Sequence, residues 1–155
     1  MTDNLCQGCT LCCRLLEVQE IAKAALEPCR HLGARGGCSI YGERPAACRH
    51  FQCVWLYSRT GRPAADALPE GMRPDISHVV LGPRDYRHGG DTLYVHVDPD
   101  YPEAWRQGAM RDYLRGLAAR GQKLVIFIGG EQVRVAAGGA AAIRGSDAEF
   151  ARLDR

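Results

Sequence analysis

The hydrophobic and polar positions separate most cleanly in the second half of the chain. Thr92 to Val97 alternates: Leu93, Val95 and Val97 point one way, and Thr92, Tyr94 and His96 the other. That is the two-residue period of a half-buried strand. Asp98-Pro99-Asp100 ends it. A shorter apolar run, Ile76 to Leu81, predicts another strand. Lys123 to Ile128 and Gln132 to Ala136 predict two more, joined by Gly129-Gly130 in a tight hairpin. Between them, Trp105, Ala109, Tyr113 and Leu117, with Met110 and Leu114, share one face of a helix. Asp100 and Glu103 have the N-cap and N3 spacing of a capping box, Pro102 fits the first turn, and Gly121 is a natural stop. In the first half, Leu15, Val18, Ala22 and Leu26 fit a 3.6-residue period and predict a helix stopped by Pro28, although Leu16 and Ile21 blur its face. A last short helix is expected over Ser146 to Leu153.

These elements predict an α+β protein in which a small, irregular cysteine-rich half packs with a small antiparallel sheet and one main helix. Residues 1–57 form the cysteine-rich region and 58–75, rich in Arg, Pro, Gly and Ala, a connecting loop. Residues 76–136 form the α+β portion of the same domain, and 137–155 a Gly/Ala-rich tail. A length of 155 residues suits one domain with a real core. The formal net charge is only +2, and 18 of the 20 basic residues are arginines spread along the chain, which argues against a nucleic-acid partner. A spanning helix needs roughly 20 apolar residues, and no such run exists, so no membrane partner is expected. The N-terminus lacks a charged-then-apolar secretory pattern, and the expected compartment is the cytoplasm.

The cysteines change this picture. All 8 (Cys6, Cys9, Cys12, Cys13, Cys29, Cys38, Cys48 and Cys53) precede residue 54, and none follows. In a reducing compartment closely spaced thiols are read first as metal ligands. Cys6 and Cys9 form a C-x2-C knuckle, and Cys12 extends it to C-x2-C-x2-C, three thiolates able to ligate a cubane iron–sulfur cluster. The ferredoxin continuation, three residues and then Cys-Pro, is absent, and Cys13 follows directly. Neighbouring side chains diverge by about 100° in a helix and oppose each other in a strand, so Cys12 and Cys13 do not suit one ordinary tetrahedral ion. Either one is a ligand and the other a small buried residue, or the doublet bridges two adjacent sites. Eight thiolates match two four-cysteine sites: two zincs, one zinc and one cluster, or two clusters.

Other readings are weaker. Eight cysteines allow 105 disulfide patterns, but without a secretory signal a disulfide scaffold is disfavoured. His31 and His50, each near a cysteine, read as structural or surface histidines. Asp91, Asp98, Asp100 and Glu103 read as turn and cap residues rather than acid–base catalysts. Nothing in the second half matches a phosphate loop, a nucleophile elbow or a catalytic triad.

At Cys6-Gln-Gly-Cys9-Thr-Leu-Cys12-Cys13-Arg14 the sequence resembles the YkgJ-like cysteine-cluster family, whose CxxCxxCC domain is described as zinc- or iron-chelating. The likeness continues through Cys29-Arg30-His31-Leu32, Cys38-Ser-Ile-Tyr41 and Arg44-Pro45-Ala-Ala-Cys48-Arg49-His-Phe51-Gln-Cys53-Val-Trp55. It extends through residues 68–81 and 93–105, and so covers most of 6 to 136. One departure is Ala24, where similar proteins often carry proline after a lysine. The resemblance implies a metal centre, often iron–sulfur, in bacterial proteins mostly without an assigned reaction. All eight cysteines are the expected ligands, with Tyr41, Arg44 and Arg49 around them as hydrogen-bond donors to sulfur.

Three functions are then in play. The first is an iron–sulfur protein with a [4Fe–4S] cluster on Cys6, Cys9, one of Cys12 or Cys13 and a later cysteine, and with a redox or modification enzyme as partner. The second is a structural zinc module with a protein-binding surface. The third is an enzyme using a free Cys12 or Cys13 thiolate whose pKa is lowered by Arg44 or Arg49.

Overall fold

A computed structural model of the chain describes residues 6, 8–60, 63–84, 92–135 and 142–145. The architecture is α+β. Among the described residues, five α-helices, α1 (Leu11–Leu15), α2 (Ala46–His50), α3 (Val54–Thr60), α4 (Pro74–Ser77) and α5 (Gly108–Ala119), accompany five strands. The strands are β1 (Val79–Arg84), β2 (Thr92–Val97), β3 (Lys123–Ile128), β4 (Glu131–Val135) and β5 (Ala142–Gly145), side by side in chain order in one sheet.

The strand predicted at Thr92 to Val97 forms as expected, with Leu93, Val95 and Val97 buried and their neighbours half-buried. The hairpin across Gly129-Gly130 also forms, with Gly129 at a φ of 59° that glycine adopts freely. The sheet differs from the expectation in direction. It is mixed, because β2 and β3 run parallel, Leu93 opposite Leu124 and Val97 opposite Ile128. Parallel neighbours need a long crossover, and α5 supplies it.

Several predicted boundaries move. The main helix begins at Gly108, after Gln107, and has no side-chain N-cap. The Asp98 carboxylate instead accepts the Asp100 N–H at 3.0 Å in a local turn, so the predicted capping box does not form. Trp105 is buried on a separate 3-10 turn, Ala104–Arg106. Met110, Leu114 and Ala118 form the buried stripe of α5, while Ala109 is exposed. Ile76 belongs to α4, not to a strand, and is half exposed; β1 starts at Val79. The predicted helix from Leu15 to Leu26 is absent. Leu15 closes α1, Ala22 and Leu26 take left-handed backbone with φ of 50° and 65°, and Val18 pairs with Lys23 as an isolated bridge.

No boundary falls at residue 57. α3 crosses it, and its Trp55 is buried in the main core with Met72, Leu81, Val95, Leu114 and Ile126. The stretch read as a connecting loop is tied down over that ring. The Trp55 indole N–H donates to the Pro69 carbonyl at 3.2 Å, Ser58 accepts the Leu68 N–H at 3.0 Å, and the Arg59 guanidinium lies 4.5 Å above the indole. β5 lies within the segment read as a tail; the helix expected over Ser146 to Leu153 falls outside the described residues.

The opposite face of β1 holds the cysteine-rich half. Val80, fully buried, packs with Leu11 and Leu15, and Cys9, Cys12, Phe51 and Cys53 close around them. Cys53 also touches the main core, so the two apolar clusters meet there. Among the described residues no helix is long and apolar enough to cross a membrane.

Candidate metal centre

Five short segments carry the thiols. Cys6 and Cys9 lie in a turn closed by the Cys9 N–H donating to the Cys6 carbonyl at 2.8 Å, with Gly8 at a φ of 80° between them. A side chain there would strain the knuckle. α1 presents Cys12 and Cys13 in succession. Leu11 and Leu15, four residues apart, anchor its other face on Val80, and this fixes where the doublet points. The Cys29 N–H donates to the Cys13 carbonyl at 2.9 Å, and a Leu32–Cys38 bridge draws Cys38 toward the same region. Cys48 sits on α2, whose first amides, Ala46 and Ala47, donate to the Glu20 carboxylate at 2.9 and 2.6 Å. Cys53 precedes α3, and its carbonyl accepts the Tyr57 N–H at 2.9 Å.

All eight cysteines line one cavity of about 220 Å³, and none is in a disulfide. Tyr41 and Arg44 line it too. The Arg44 guanidinium lies 3.7 Å from the Tyr41 ring centre and donates to the Tyr41 carbonyl at 2.9 Å. Arg49 is exposed and is not on the wall; its solvent-facing position on α2 places its charge toward Glu20 instead. His31 lines the cavity and His50 is exposed.

Burial pushes up the thiol pKa values of Cys6, Cys9 and Cys48, and that of Cys53 to about 11. Arg44 and a hydrogen bond from Tyr41 oppose the shift at Cys6. The doublet splits. A hydrogen bond shared between the two thiols raises Cys12 and lowers Cys13 to about 7, and Lys23 and Arg44 add to the lowering. Of the two cations that sequence reasoning offers beside the doublet, Arg44 acts on Cys13 and Arg49 is not among its influences, while Lys23 is a cation it did not name.

Lys23 is 6% exposed and also lines the cavity. Its ammonium donates to the carbonyls of Leu16 and Ala24. Desolvation lowers its pKa, and the thiols of Cys29, Cys13 and Cys12 oppose that. The signal that could have found it is its rarity: it is one of two lysines in an arginine-rich chain.

As the side chains stand, no three His, Cys, Asp or Glu among the described residues gather closely enough to hold one ion. The thiols ring a space instead. Eight soft donors on an apolar wall are chemically suited to a thiophilic metal ion or a metal–sulfur group. No protein-family profile, curated protein or solved structure matches the chain.

Proposed function

We propose that this chain is a cytoplasmic metal-centre protein carrying a [4Fe–4S] cluster, with a redox role or an accessory role to a partner enzyme. One observation carries the reading: all eight thiols, unpaired, wall a single cavity. The resemblance of the CxxCxxCC run to the YkgJ-like family points the same way. Cys6, Cys9 and a member of the doublet, with a later cysteine, hold the group. Such a cluster supplies one-electron transfer. The chain's own residues set its surroundings. Tyr41 donates to the Cys6 sulfur, Arg44 and Lys23 offset thiolate charge, and Leu16, Ile40, Phe51 and Val80 keep water from the wall.

The test is elemental and acid-labile sulfide analysis, with a visible spectrum, on protein expressed with ample iron and purified without oxygen. About four irons and four sulfides per chain, with colour that bleaches on reduction, is the expected result. Colourless protein containing only stoichiometric zinc would replace this reading with a structural module, whose cysteine-rich half chelators unfold.

A further inference from the structure

Lys23 is a buried cation to which the fold gives no carboxylate. Its backbone pairs with Val18 in both directions, N–H to carbonyl at 2.9 and 3.0 Å, across a turn that uses Ala22 in left-handed conformation. The side chain is 6% exposed and lies on the wall of the thiol cavity. Its ammonium donates to the carbonyl of Leu16, the residue that closes α1, and to that of Ala24 at 3.0 Å. The Leu16 N–H in turn donates to the Cys12 carbonyl at 3.1 Å. The charge therefore stands at the carbonyl end of the helix that bears Cys12 and Cys13. Two carbonyl dipoles solvate an ammonium in part and leave its full charge unbalanced. Among the described residues no carboxylate is within ion-pair distance of Lys23, and Glu17, the one carboxylate on the wall, is exposed. The groups on that wall able to become anionic beside it are the thiols.

We propose that Lys23 couples metal loading to stability: its charge weakens the metal-free fold and tightens the hold on a thiolate-bound metal centre. That coupling rests on the reading of the cavity as a metal site. While the thiols are protonated the ammonium is a buried charge without a counter-ion, and an apolar side chain of similar length in its place stabilises. Four thiolates around a divalent ion or a cubane cluster are net negative, and the same ammonium then attracts. A unit charge several Å away, at an effective dielectric of about 20, changes such binding by about tenfold or more. The effect of Lys23 thus has opposite signs in the two states. A lysine that merely stapled the Leu16 and Ala24 carbonyls would help both states alike, so the sign separates the two roles.

Metal-free wild type, Lys23→Met and Lys23→Gln are unfolded in urea at pH 6, where ordinary thiols are protonated. Each metal-free chain is also titrated with Co²⁺ without oxygen, read by thiolate-to-cobalt absorption. Lys23→Met should unfold at higher urea than wild type and bind Co²⁺ about tenfold more weakly. Lys23→Gln keeps a donor for the carbonyls but no charge, and it should bind Co²⁺ as weakly as Lys23→Met. A Lys23→Met chain less stable than wild type without metal, or one with unchanged Co²⁺ affinity, overturns the proposal. Wild-type affinity in Lys23→Gln would do the same and leave Lys23 as a backbone staple. If the metal-free chains do not unfold cooperatively, the cobalt affinities decide alone. Weaker Co²⁺ binding by Lys23→Met, in a protein that purifies with zinc and no iron, would end the cluster reading while the counter-charge stands. Unchanged affinity in a protein that purifies with iron and sulfide would end the counter-charge while the cluster reading stands. In that iron-loaded protein Lys23→Met should also lower the reduction potential by about 59 mV, a tenfold change for one electron, because the added electron loses a nearby cation; an unchanged potential counts against the proposal.

Discussion

His96 should make this protein lose stability in mild acid, by an amount the fold fixes. Its ring lies on the sheet face shared with Val80, stacked on Phe127 with centroids 5.0 Å apart and planes 8° from parallel. Burial there lowers its pKa from 6.5 to about 4. The unfolded chain therefore binds a proton that the folded chain refuses between pH 6.5 and 4. The stabilisation is complete above pH 6.5, falls as pH drops through that window, and is gone below pH 4. One pKa unit is worth 1.36 kcal/mol, so the shift corresponds to about 3 kcal/mol in full and about 2 kcal/mol lost at pH 5. With a urea slope near 2 kcal/mol/M, the unfolding midpoint should fall by about 1 M between pH 8 and pH 5 beyond the background of the other titrating groups. The variant His96→Phe supplies that background, because it preserves a ring on Phe127 and cannot titrate. If midpoints of wild type and His96→Phe fall in parallel from pH 8 to pH 5, the reasoning about His96 is wrong.

Ile126, fully buried where β3 meets α5 and β4, should cost about 3 to 4 kcal/mol on truncation to alanine, read from urea unfolding. Glu20→Ala should speed hydrogen exchange at the Ala46 and Ala47 amides and loosen the helix bearing Cys48; unchanged exchange would mean that the carboxylate is not their cap. Ala22→Gly should raise stability by about 0.5 kcal/mol, because relief of the left-handed backbone slightly outweighs the entropy glycine adds to the unfolded chain; thermal unfolding with a lowered midpoint would contradict this.

The strands were readable where one face is buried and the other is not. Thr92 to Val97 writes that contrast directly into its alternation, and Gly129-Gly130 and Gly121 mark backbone that only a turn or helix end uses. Strand direction leaves no such trace. Alternation at Leu93, Val95 and Val97 is the same whether β3 runs with or against β2, so the parallel pair was invisible. The mistaken helix from Leu15 to Leu26 came from a coincidence of spacing. Leu15 serves the end of α1, Leu26 faces solvent, and Leu16 and Ile21 are apolar because they wall the cavity. Cysteine spacing revealed soft donors, since C-x2-C closure is local. That remote Cys29, Cys38, Cys48 and Cys53 reach the same cavity depends on tertiary contacts, and so does the burial of Lys23 beside them.

The order of strands across the sheet is also their order along the chain, β1 through β5. During synthesis each strand therefore emerges beside a neighbour that is already present, and no later strand must be threaded between two earlier ones. Among the described residues β1 is an edge strand of the sheet, and on its Val80 face it carries the segment that holds the thiols. The thiols leave the ribosome before the strands, yet the surface that organises them is complete only after the sheet has assembled. The segment bearing the thiols is thus synthesised before the sheet on which it packs.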